Sequence, residues 1–158
     1  MPMTPMRRHT RRVPVIDIEI EDAAWASLTG VEDLARTAAE AALAGLAEGG
    51  ITLLLTDDDA QRELNARFRD KDATTNVLSF PAAANPEGHL GDISLAYGVC
   101  AREAAEQGKS LSNHLQHLVA HGVLHLLGYD HIEDGEAEAM EALERQILVG
   151  LGVPDPYA

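Results

Sequence analysis

From Val15 to Ile20 apolar and acidic side chains alternate as Val-Ile-Asp-Ile-Glu-Ile, which predicts a strand with one solvated face. Ile51 to Thr56 is a short unbroken apolar run, the pattern of a central strand. Asn76 to Phe80, stopped by Pro81, and Leu90 to Tyr97 read as two further strands, joined by a loop or hairpin tip over Ala82 to His89. Between them the period changes to that of helices. Val31 to Ala47 is rich in Ala and Leu and is closed by Gly49-Gly50. Asp57 offers an N-cap for a helix to about Phe68, followed by a polar loop over Asp70 to Thr75. A helix from Val99 to about Gln107 ends at Gly108, and Ser110 opens the next. A last amphipathic helix runs from Asp134 to Val149 and ends at Gly150 or Gly152. The sum is an α/β or α+β fold: a single domain over residues 13–158, with about four strands in one mixed sheet and about five helices. Residues 1–12 are Pro- and Arg-rich without periodicity and read as a disordered basic arm.

Composition narrows the class. A chain of 158 residues is long enough to bury a core, and none of its apolar runs approaches the ~20 residues of a membrane span. The arginines at 7, 8, 11 and 12 have no apolar stretch behind them, so no signal peptide is expected. A lone Cys100 forms no internal disulfide, fits a reducing cytoplasm, and reads as a small buried hydrophobe. The net charge of −14 argues against indiscriminate nucleic-acid binding, and neither DNA nor a membrane is expected as a partner. The distribution of charge softens this for RNA. Of twelve Lys and Arg, four lie in the first dozen residues and four more are Arg62, Arg67, Arg69 and Lys71. A local basic strip on an acidic body can engage one phosphate backbone selectively.

The densest chemistry lies between His121 and His131, in H-G-V-L-H-L-L-G-Y-D-H. His121 and His125 are one turn apart on one helix face. Gly128 takes the left-handed conformation cheaply, so the helix can end there and the chain can bring His131 round to the other two. Three neutral imidazoles with one open position form the ligand set of a catalytic Zn²⁺, one per chain, on a metalloprotease-like zinc helix. Imidazole also suits Ni, Cu and Fe. The spacing H-x-x-x-H-x-x-G-x-x-H is that of the metzincin peptidases, which carry their general base, a Glu, directly after the first His. Here Gly122 holds that place, which turns the reading away from peptide hydrolysis. A ligating His usually donates its other N–H to an acceptor, for which Asp130 and Asp92 are candidates. His114 and His117 share the helix and are candidates for a supporting or proton-relay role. Ser79 has no base at a readable offset and reads as a structural or cleft-lining residue.

The H-G-x-L-H-L-x-G-Y-D-H stretch resembles the signature of the YbeY family of bacterial endoribonucleases and rRNA maturation factors. Two more stretches agree: Glu63-Leu64-Asn65 through Arg69, Lys71 and Asp72 to Thr75-Asn76-Val77-Leu78-Ser79-Phe80-Pro81, and Gly91-Asp92-Ile93. The resemblance runs roughly from Leu53 to the C-terminus and leaves out the arm at residues 1–12. It implies a cytoplasmic metal-dependent endoribonuclease specific for single strands. Its partners are rRNA and the 30S subunit, in 16S rRNA 3′-end maturation and ribosome quality control. It implies zinc on His121, His125 and His131, and an Arg69 needed for activity. Guanidinium suits that role, being planar, always charged and bidentate toward phosphate. Arg67 and Lys71 are candidates for backbone contact, and Thr75 and Asn76 for positioning RNA. The attacking group is either water or the RNA's own 2′-OH. Two other readings fit the residues: a non-catalytic assembly factor braced by zinc, and a metal-dependent hydrolase of another bond.

Overall fold

The alternating segment is the edge strand β1 (Val15–Ile20), and the apolar run is β2 (Gly50–Thr56). β3 (Val77–Pro81) and β4 (His89–Ala96) complete a four-stranded sheet of order β1-β2-β4-β3. The first three strands in that order are parallel, and β3 runs antiparallel to β4 at the other edge. These elements come from a computed structural model, which describes residues 15–43, 49–71, 73–129 and 134–157. The basic arm, the predicted end of the helix at 44–47, Asp72, Asp130 and His131 lie outside the described residues.

Side chains on one face of the sheet, Ile51, Leu53 and Leu55 of β2 with Ile93 and Leu95 of β4, are fully buried. Two helices cover them: α2 (Val31–Leu43), which buries an Ala-rich stripe at Ala35, Ala38, Ala39 and Ala42, and α5 (Leu111–Leu126). Small residues on α2 let it approach α5 and the sheet closely. The other face is thinly covered. α3 (Asp58–Arg69) lies over β4 there, its buried Gln61 exchanging hydrogen bonds with Ser94, whose backbone oxygen it also reaches at 3.1 Å. Thr52 and Leu54 are only half-buried. β2 takes the interior place in the sheet that its apolar run predicts, fully covered on one face and partly on the other.

The helix punctuation follows local chemistry. Asp57 caps α3 by accepting from the Ala60 N–H at 2.7 Å, and Ser110 caps α5 by accepting from the Asn113 N–H at 3.1 Å. α5 ends where Gly128 takes a φ of +103°. α4 (Tyr97–Glu106) and α6 (Asp134–Gly150) fall close to their predicted spans. The sixth helix among the described residues, α1 (Ala23–Ala26), is one unforeseen turn, too short to show a period. It is capped by Asp22 and held by the buried Trp25, whose indole N–H donates to the Thr56 oxygen at 3.0 Å.

Candidate metal centre

α5 delivers two imidazoles to one point. The Nε2 atoms of His121 and His125 stand 3.0 Å apart. Two nitrogens each ~2.0–2.1 Å from one ion lie within ~4 Å of each other, so this is ligand spacing. The opposite ring nitrogens are held by acceptors: Nδ1 of His121 faces Glu144 Oε1 at 3.1 Å, and Nδ1 of His125 faces the Tyr129 oxygen at 3.0 Å. A carboxylate and a carbonyl both require an N–H, which fixes each ring as the Nδ1–H tautomer and turns the Nε2 lone pairs inward. Two converging lone pairs repel unless a cation lies between them, and that chemistry fits a divalent metal.

The carboxylate is the residue that sequence reasoning missed. Glu144 comes from α6, is fully buried, and also takes bonds from His117 Nε2 at 2.8 Å and the Tyr157 hydroxyl at 2.9 Å. Burial pushes its carboxyl up, but hydrogen bonds from His117, His121 and Tyr157 outweigh that and hold it down at about 2. An anion therefore sits beneath the imidazoles at all ordinary pH, making His121 the stronger donor. His117, His121 and Glu144 are the group among the described residues whose ligand atoms lie within 4.8 Å of one another, a cluster suited to a metal ion. A signal for Glu144 was present: Met140, Glu144 and Leu148 fall at i, i+4 and i+8 on one stripe of α6, and all three are fully buried.

The other predicted supporting residues separate. Asp92 Oδ1 pairs with His89 Nε2 at 2.9 Å and lines a different cavity from the one that His121 and His125 line. His117 shares Glu144 with His121 and meets its ring edge to face, with centroids 6.2 Å apart. His114 is turned toward α4, where its Nε2 lies 2.9 Å from Glu103 Oε1; that carboxylate also accepts from Asn76 Nδ2 at 3.0 Å. Burial lowers the His114 pKa despite Glu103, so the ring stays neutral. Asp130 and His131, the remaining candidates, lie outside the described residues.

In front of the imidazoles lies a cleft of about 570 Å³, lined among others by Arg69, Thr75, Asn76, Ser79, His121 and His125. Arg69 is the last residue of α3 and reaches across to the edge strand, where Nη2 donates to the Ser79 oxygen at 2.5 Å. Asp70 ends the helix in the left-handed conformation, φ 55°, and Asn65 Nδ2 donates to the Ala73 oxygen at 2.9 Å. These contacts fold the following loop back, so that Thr75 and Asn76 face the cleft beside Arg69. Ser79 donates its hydroxyl to the Gly122 oxygen at 3.1 Å, so it ties β3 to α5 and is no nucleophile here. A Cβ at Gly122 would stand 3.0 Å from Ile93 Cγ2 and 3.2 Å from Ser79 Oγ. The place of the peptidase Glu is therefore filled by the sheet.

A mixed sheet with a two-histidine helix, a buried carboxylate behind it and an arginine across the cleft has the make-up of a metal-binding hydrolase for an anionic substrate. The profile of the family described as Endoribonuclease YbeY matches residues 17–152, and this chain belongs to that family. Relatives named Endoribonuclease YbeY include that of Azorhizobium caulinodans, 51% identical over 90% of this chain and 96% of that protein. That of Maricaulis maris is 49% identical over 90% of this chain and 91% of that protein. The solution structure of TM1509 from Thermotoga maritima matches with a TM-score of 0.58 at 26% identity, covering 87% of this chain and 92% of that one.

Proposed function

We propose that this chain is a zinc-dependent endoribonuclease acting on single-stranded rRNA, at the 3′ end of 16S rRNA in the 30S subunit, in the cytoplasm. The observation that carries the reading is the pair of inward Nε2 atoms 3.0 Å apart, facing Arg69 across one cleft. The relatives are endoribonucleases by name, which supplies the RNA substrate. His121, His125 and His131 are assigned as the zinc ligands. An ion held there supplies Lewis acidity to a phosphodiester. The remaining work falls to the chain. Arg69 holds two phosphate oxygens and neutralises the charge that grows on them. Thr75 and Asn76 fix the sugar-phosphate chain beside it, and Glu144 keeps His121 aligned. Ser79, bonded to Gly122, holds the cleft floor at a constant distance from α5.

The test is cleavage of a short RNA from the 3′ end of precursor 16S rRNA by wild type, His121→Ala and Arg69→Ala, with zinc measured on the same samples. Cleavage by wild type alone, with zinc retained in Arg69→Ala, supports the reading. Equal cleavage by all three would overturn it. A 2′,3′-cyclic phosphate on the product assigns attack to the 2′-OH; a 5′-phosphate with a 3′-hydroxyl assigns it to water.

A further inference from the structure

β3 is one edge of the sheet and separates two cavities. Ser79 and Pro81 line the cleft that holds His121 and His125. Phe80, between them, points to the opposite face, into a second cavity of about 200 Å³. That cavity is apolar, formed by Leu54, Leu64, Phe68 and Phe80, with Asp92 and Ser94 at its edge. Phe68 is 61% exposed, an unusual place for a phenyl ring, and meets Phe80 edge to face with centroids 5.6 Å apart.

Arg69 bridges the two cavities. It lines the cleft, and its guanidinium lies 5.8 Å from the Phe80 centroid. Arg67 lies 6.0 Å from the Phe68 centroid, and Lys71 follows on the exposed surface. Two aromatic faces and three cations thus run over the sheet edge, on a chain whose net charge is −14. Exposed aromatic rings interleaved with Arg and Lys, continuous with a phosphate-binding cleft, are the elements of a single-strand platform. Arg67 is also paired with Glu63 at 2.8 Å, so Arg69 and Lys71 carry the charge that meets a phosphate along this path.

We infer that the RNA strand leaving the cleft crosses the sheet edge at Arg69 and stacks a neighbouring base on Phe68, in the cavity behind β3. This subsite rests on the reading of the chain as an endoribonuclease. It gives Phe68 a role in substrate affinity without contact to the reacting phosphate.

The experiment uses the full chain with its metal, and oligoribonucleotides of one sequence carrying the fluorescent base 2-aminopurine at successive positions. Binding and cleavage are followed for wild type, Phe68→Leu and Phe68→Trp. Leu keeps the cavity filled but has no π-face, whereas Trp keeps the face. Wild type should quench one position beside the cleavage site. Phe68→Leu should lose that quench and bind about tenfold more weakly, the loss falling on KM rather than kcat, while Phe68→Trp keeps both. Cleavage by wild type with unchanged quenching and KM in Phe68→Leu would overturn the subsite and leave the nuclease reading standing. A protein partner seated on this face predicts that same result. Failure of wild type itself to bind or cleave RNA would overturn both.

Discussion

At the scale of single residues the site is governed by what stands behind each imidazole. His121 and His125 are interchangeable in chemical type, but one leans on a buried carboxylate and the other on a carbonyl. Glu144→Gln should therefore weaken metal binding by about 10- to 100-fold, read by competition with a chelating dye, while the far-ultraviolet circular dichroism is kept. An unchanged affinity would remove Glu144 from the site. Gly122 is set by packing: its absent Cβ would press on Ile93 in the central sheet. Gly122→Ala gains ~0.5–1 kcal/mol of helix propensity but overpacks a full core at ~1–3 kcal/mol, so a net loss of ~1 kcal/mol is expected in urea unfolding. Local spacing made His121 and His125 legible, because i, i+4 neighbours meet on any helix. Glu144 was harder, since its meeting with His121 depends on how α6 docks; the polar residue in an apolar stripe was the only trace.

At the scale of elements the chain's own punctuation carries most of the fold. Asp57 and Ser110 cap their helices as their residue types suggest, and Gly128 stops α5 where the metal motif needs a bend. Ser110→Ala should cost ~1 kcal/mol of stability with metal affinity unchanged, since the cap lies at the far end of α5 from His121. α1 was invisible because one turn has no period, whereas the unbroken apolar run marked β2 as the interior strand it is. α5 also imposes a pH dependence. Burial holds His114 neutral against the pull of Glu103, with Lys109 and His117 adding to the effect of burial. Its folded pKa lies below the unfolded value of 6.5, so its contribution is complete above that pH and is lost as pH falls through the folded pKa. Unfolding midpoints at pH 7.5 and about 5.5 should therefore drop more for wild type than for His114→Gln, a group that cannot titrate.

For the whole molecule, the sheet's unequal faces divide the labour. One face is closed by α2 and α5 and holds the imidazoles rigid; the other is half-covered by α3, which brings Phe68 and Arg69 to the edge beside Phe80 of β3. An acidic body with Arg69 set in its cleft is suited to selecting one strand rather than coating many. Among the described residues no helix is long and apolar enough to cross a membrane. The central claim is that cleavage depends on one ion held by the histidine helix. The most direct measurement titrates zinc into chelator-stripped protein and follows cleavage of the single-stranded rRNA substrate, with His121→Ala alongside. Cleavage should be absent without metal, recover with a breakpoint at one ion per chain, and stay absent in His121→Ala. Full cleavage by the stripped protein, or recovery in His121→Ala equal to wild type, would contradict the claim.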